Sequence, residues 1–160
     1  MQKIMLISLV VLFFVCGCEQ DNVFFEKGDL NSSRKVLIAG TTSQFKKEVV
    51  AKIIEKLGTQ DYYFKVIGLN QLEKEKTENY RAILLVTAFM AGKIDGRVKQ
   101  YLQKNPSDPK IIVFYTRGTE DPLPDWSKPD IKVDAVSSSS LSDRVDKRVD
   151  ELISLIIKRF

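Results

Sequence analysis

Apolar positions along the chain alternate between two periods. Residues 35–39 (KVLIA), 63–69 (YFKVIGL), 80–87 (YRAILLVT) and 110–116 (KIIVFYT) are short, nearly continuous apolar runs, the pattern of strands buried on both faces. Between them the spacing becomes helical. Phe45, Val49, Val50, Ile53, Ile54 and Leu57 share one face with lysines and glutamates opposite, and Gly58 is placed to stop that helix. Ile94, Val98, Tyr101 and Leu102 predict a second helix that ends before Pro106. Leu141, Val145, Val149, Leu152, Ile153, Ile156 and Phe160 predict a third. A fifth, shorter strand is expected at 131–136 (IKVDAV). Residues 70–79 are polar enough for only a turn or two of helix, 88–92 read as a loop, and 117–130 read as a long loop with three prolines and Trp126.

Strands that alternate with helices need right-handed crossovers between parallel neighbours, which leaves helices on both faces of the sheet. The expected fold class is therefore α/β: a three-layer, doubly wound, five-stranded parallel sheet in the order 2-1-3-4-5. A sheet of that order holds its ligand crevice at the carboxyl ends of the strands, near the switch between strands 1 and 3. The loops at that edge would be 40–44, 88–93 and 115–118.

The N-terminus follows a different rule. Met1, Gln2 and Lys3 lead into an apolar run over 4–15 that is shorter than the roughly 20 residues a bilayer span requires. It ends in Val15-Cys16-Gly17-Cys18, with small Gly17 before the second cysteine. This arrangement resembles the lipobox of bacterial lipoproteins and implies cleavage before Cys18, which would carry the lipid. The expected division is a signal peptide over 1–17, a lipidated tether over 18–33 and a domain over 34–160. The resemblance implies a domain held by membrane lipid through Cys18, at the cell membrane or the outer membrane, on the extracytoplasmic side. The alternative is an uncleaved hydrophobic helix that buries Cys16 and Cys18.

Composition narrows the chemistry. The 160 residues contain no histidine, and the two cysteines are Cys16 and Cys18. Ser-His-Asp and Cys-His catalysis, zinc sites built on His or Cys, and structural disulfides within the domain are excluded. Carboxylates, lysines, hydroxyls or a bound cofactor remain, and no metal site or catalytic residue is assigned. The formal net charge of +4 is spread along the chain, which points slightly towards anionic lipid and not to nucleic acid.

From Lys35 onward the chain resembles the flavodoxin-like proteins, on the strand, aromatic-and-glycine loop and helix start at 80–94 (YRAILLVTAFMAGKI) and on 133–153 (VDAVSSSSLSDRVDKRVDELI). The resemblance implies a possible flavin mononucleotide (FMN) site. Its phosphate would lie on the loop Thr41, Thr42, Ser43, with Gln44 where flavodoxins carry glycine and Lys46 where they carry a last hydroxyl. Gln44 would obstruct close backbone approach, and Lys46 could compensate with charge. The same three hydroxyls also serve simply to cap a helix. Phe89 and Met90, beside Gly92, and Tyr115 would wall the flavin ring or pack as core and rim. Trp126 suits a partner-binding anchor or a cover on the domain, and Ser137 to Ser140 end a strand and cap the last helix.

Three functions are compatible with these residues. The first is a cofactor-poor binding or accessory module that meets a protein partner in the cell envelope. The alternative is an FMN-binding electron carrier tethered to the membrane. An enzyme acting through Asp95, Glu120, Asp121 or Asp125 ranks last, because nothing pairs these carboxylates with a proton partner.

Overall fold

A computed structural model describes residues 25–41, 43–117, 131–138 and 145–160. The signal segment, Cys18, Thr42, Glu120, Asp121, Asp125, Trp126, Ser139, Ser140 and Leu141 lie outside the described residues. The elements are β1 (Phe25–Lys27), β2 (Arg34–Gly40), α1 (Gln44–Leu57), β3 (Tyr62–Gly68), 3-10 turns at Leu69–Lys74 and Thr77–Asn79, β4 (Ala82–Met90) and β5 (Lys93–Ile94). They continue with α2 (Gly96–Lys104), β6 (Ile111–Thr116), β7 (Asp134–Ser138) and α3 (Val145–Ile157).

The strands form one sheet in the order β1-β3-β2-β4-β6-β7, with β5 attached to β4. Pairs β2–β3, β2–β4, β4–β6 and β6–β7 are parallel, whereas β1–β3 and β4–β5 are antiparallel. The expectation of a purely parallel, five-stranded sheet is corrected on this point: among the described residues the sheet is mixed and has seven strands. Both additions are short. β1 and β5 contain three and two residues, too few to show an alternating period in the sequence.

Part of the segment expected as tether is built onto the sheet as β1, Phe25–Lys27. Phe25 pairs with Val66 and Lys27 with Phe64, and the Ser32 hydroxyl donates to the Asp61 carbonyl at 2.8 Å. The loop expected at 88–92 is also shorter, because β4 runs on to Met90 and returns through Ala91 and Gly92. Both turn residues have positive φ, 50° and 75°, as a two-residue hairpin of the I′ kind requires, and Gly92 takes that conformation without strain. Ile94 therefore lies on β5 rather than on the helix predicted to carry it. β7 starts later than expected and includes Ser137 and Ser138, since its register against β6 runs from Asp134 opposite Ile112 to Ser138 opposite Thr116.

Alternation along the central strands sends side chains to two cores. Val36 and Ile38 of β2, Phe64 of β3, Leu84 and Val86 of β4 and Phe114 of β6 pack under α1 and α3. Leu37, Ala39, Ile67, Ile83, Leu85 and Val113 face the other way, under α2 and the first 3-10 turn. Gly40 sets the spacing at the carboxyl edge, where a Cβ would lie 2.7 Å from the Val86 Cβ. The close approach of β2 and β4 at that point depends on its missing side chain.

Candidate functional site

The carboxyl ends of β2, β4 and β6 bring the sequence-predicted residues to one edge of the sheet. After β2, the Thr41 amide donates to the Val86 carbonyl at 3.0 Å, which continues the β2–β4 pairing by one bond. Ser43 is extended (φ −110°, ψ 159°) and caps α1: its Oγ accepts from the Lys46 amide at 3.4 Å, and its carbonyl accepts from the Lys47 amide at 2.9 Å. Gln44 opens the helix with its side chain exposed.

Lys46 is the unusual residue. Its side chain turns under α1, leaving the residue 5% exposed, and Nζ donates to the Thr41 Oγ1 at 2.9 Å. Among the described residues no carboxylate pairs with it, and burial lowers its pKa below the usual lysine value. The first turn of α1 contains no acidic residue, so the buried ammonium and the positive end of the helix dipole occupy the same corner without an anion.

Below that corner, between α1 and the sheet, lies a cleft of about 330 Å³. Ile38, Val50, Ile54, Val66 and Val86 line its apolar length, Lys46 and Thr41 lie at one end, and Phe25 of β1 stands at the open side, 45% exposed. Sequence reading missed this cleft. Its outer wall is β1, whose three residues are too few to show a strand period, and the period of α1 shows that Lys46 is near the apolar face without showing that it is buried.

The aromatic candidates divide. Phe89 and Tyr115 are both buried in the α2-side core, with ring centroids 6.3 Å apart and planes at 68°. Met90 points outward, 71% exposed, and the space around Gly92 is open. Asp95 caps α2: its carboxylate accepts from the Arg97 amide at 2.9 Å and from the Arg97 guanidinium at 3.0 and 2.7 Å. That guanidinium holds Asp95 below the usual carboxylate range, which suits a cap and makes the carboxylate a weak base.

A second, part-buried polar centre, also absent from the sequence reading, lies on the opposite face. Glu75 accepts from Lys65 Nζ at 2.7 Å and from the Tyr80 hydroxyl. Burial, reinforced by Glu75, raises the Tyr80 pKa, and burial with help from Glu26 pushes Tyr63 up to about 12. Tyr101 is likewise pushed up to about 12 by burial. Its hydroxyl has no hydrogen-bond partner among the described residues, and it borders a polar pocket of about 540 Å³ shared with Glu75, Arg97 and Asn105. Among the described residues no cluster of His, Cys, Asp or Glu could hold a metal ion, and no helix is long and apolar enough to cross a membrane.

This architecture is that of a flavodoxin-like α/β domain, and the comparisons with known proteins agree. No family model and no curated protein matches the sequence. Solved structures do match. A flavodoxin from the domain Archaea superposes with a TM-score of 0.57 at 11% identity, over 78% of this chain and 98% of that one. A point mutant of the flavo di-iron protein from Thermotoga maritima gives 0.58 at 17% identity, over 82% of this chain but only 37% of that one. The lysine decarboxylase of Francisella novicida gives 0.52 at 13% identity, over 79% of this chain and 17% of that one. Identities this low establish a shared fold, and a decarboxylase among flavoproteins shows how little the fold restricts chemistry.

Proposed function

We propose that this chain is a lipid-anchored accessory or binding module of the cell envelope, whose flavodoxin-like domain, with its parallel strands in the order 2-1-3-4-5, retains the scaffold of a flavin carrier with a weakened flavin site. The anchor rests on Val15-Cys16-Gly17-Cys18. The weakened site rests above all on the aromatic pair, because Thr41 and Ser43 only accept in the hydrogen bonds they make and keep their hydroxyl protons. Gln44 adds bulk where a phosphate needs close backbone contact, and Phe89 and Tyr115 pack on each other in the core. These residues fit FMN poorly.

The second reading is a membrane-tethered FMN electron carrier. The whole-length match to a flavodoxin favours it, and Thr41, Lys46 and Met90 would then contact the cofactor, which would supply the redox chemistry. A fluorescence titration of the protein with FMN separates the two. The accessory module leaves flavin fluorescence unquenched at micromolar concentration, whereas a carrier binds at about −8 kcal/mol or better. Labelling with radioactive palmitate tests the anchor separately, and the label should disappear in the C18S variant.

A further inference from the structure

We infer that the cleft beneath α1 is a binding site for a single acyl chain ending in a carboxylate. It shares Thr41 and Lys46 with the phosphate end of the flavin edge, but the rest of its walls come from α1, the sheet beneath it and β1, and Phe89, Met90, Gly92 and Tyr115 do not line it. The first support is charge. Lys46 is almost fully buried at the inner end, and its sole described partner is the neutral Thr41 hydroxyl. A buried ammonium with no anion is costly, and in the first turn of a helix the dipole adds to that cost. A carboxylate at this point would remove both penalties. One of its oxygens would accept from Lys46 Nζ and the other from the Thr41 hydroxyl, whose proton is not used by the bond in which its oxygen accepts.

The second support is shape. From Lys46 to Ile54 the cleft follows α1 for eight residues, about 12 Å at 1.5 Å per residue. Lys27, Lys47 and Glu55 also line the cleft, but Ile38, Val50, Ile54, Val66 and Val86 supply most of this length, so the body of the ligand is hydrocarbon. A volume of about 330 Å³ is at the low end for small-molecule sites and suits one chain rather than the two of a phospholipid. Phe25, exposed at the sheet edge, marks the side through which the chain enters.

The test is titration of the full chain with decanoate labelled with carbon-13 at its carboxyl group, bound ligand being read by NMR, and with 1-decanol in parallel by calorimetry. Decanoate should saturate one site and bind at least tenfold more tightly than 1-decanol. The K46M variant should reduce decanoate to the affinity of 1-decanol. The A51W variant, which places an indole in the cleft from an exposed helix position, should abolish binding of both. Circular dichroism melts confirm that both variants fold, and the comparison of the two ligands on the unaltered chain needs no variant. No saturable binding, equal affinities for decanoate and 1-decanol, or binding indifferent to K46M or A51W would each overturn the assignment.

Discussion

The two faces of the sheet bury charge in opposite ways. On the α2 face Glu75 has both Lys65 and Tyr80, and the Asp95 carboxylate at the start of α2 is clasped by Arg97. On the α1 face Lys46 is more deeply buried than Lys65 or Glu75, yet among the described residues it has only a neutral hydroxyl, beside a largely apolar cleft. On the α2 face these charged groups are paired with one another, and the unpartnered buried group among the described residues there, the Tyr101 hydroxyl, is neutral. Among the described residues the α1 face is left with one uncompensated charge at Lys46, and such a charge is either a stability cost or a ligand contact.

The contrast predicts opposite signs for deletions on the two faces. The largest effect is expected from Glu75→Ala, which leaves Lys65 and Tyr80 part-buried without their acceptor and should cost about 3 kcal/mol. Urea unfolding reads this directly, and a loss below about 1 kcal/mol would mean that the α2 face is not held by this centre. Tyr80→Phe should cost about 1–2 kcal/mol for the lost hydrogen bond. Because the folded Tyr80 pKa is raised, its contribution is complete below about pH 10 and declines at higher pH, where the unfolded phenol ionises first. The decline of stability above pH 10 should therefore be shallower in Tyr80→Phe than in the parent.

Lys46→Met should do the reverse and stabilise the ligand-free protein by about 1 kcal/mol, as Met fills similar volume without a buried charge. The pH dependence carries the same sign. The folded Lys46 pKa is lowered, so between that value and about 10.4 the unfolded chain holds a proton that the folded chain has released, and stability gains a rising contribution with pH. Lys46→Met should remove that rise, and a destabilised variant would show that Lys46 has an anionic partner beyond the described residues. The smallest effects come from the cap of α2. Asp95→Ala should cost about 1 kcal/mol and Asp95→Asn a few tenths, since Asn still caps. The charge-dependent part of the Asp95 contribution is present above about pH 3.9 and is lost as pH falls below it, which acid unfolding of the Asn variant would isolate.

Much of the scaffold was legible in the chain. The long apolar strands β2, β3, β4 and β6 and the faces of α1 and α2 follow from periods of two and 3.6, because a buried strand or an amphipathic helix must repeat its apolar positions locally. The same local logic identified the serine cap of α1 and the polar stretch that became 3-10 turns. The site was legible only in part. Thr41 and Ser43 were found through their hydroxyls, and Phe89 and Tyr115 through their position at strand ends, but the sequence could not say that the two aromatics face inward onto each other.

By itself the sequence determined the alternation of strands and helices, the exclusion of histidine and thiol chemistry from the domain, and the lipobox-like start. Only the tertiary structure decided the rest. β1 and β5 exist because longer strands offer them hydrogen-bonding edges, and β7 takes its register from β6 rather than from its own most apolar residues. Lys46 is buried because α1 packs onto the sheet, and Glu75 meets Lys65 and Tyr80 because the 3-10 turns fold the β3–β4 connection back beside β3. Periodicity reports which residues share a face. The charge balance at a buried point is a sum over neighbours that only the packed sheet brings into contact.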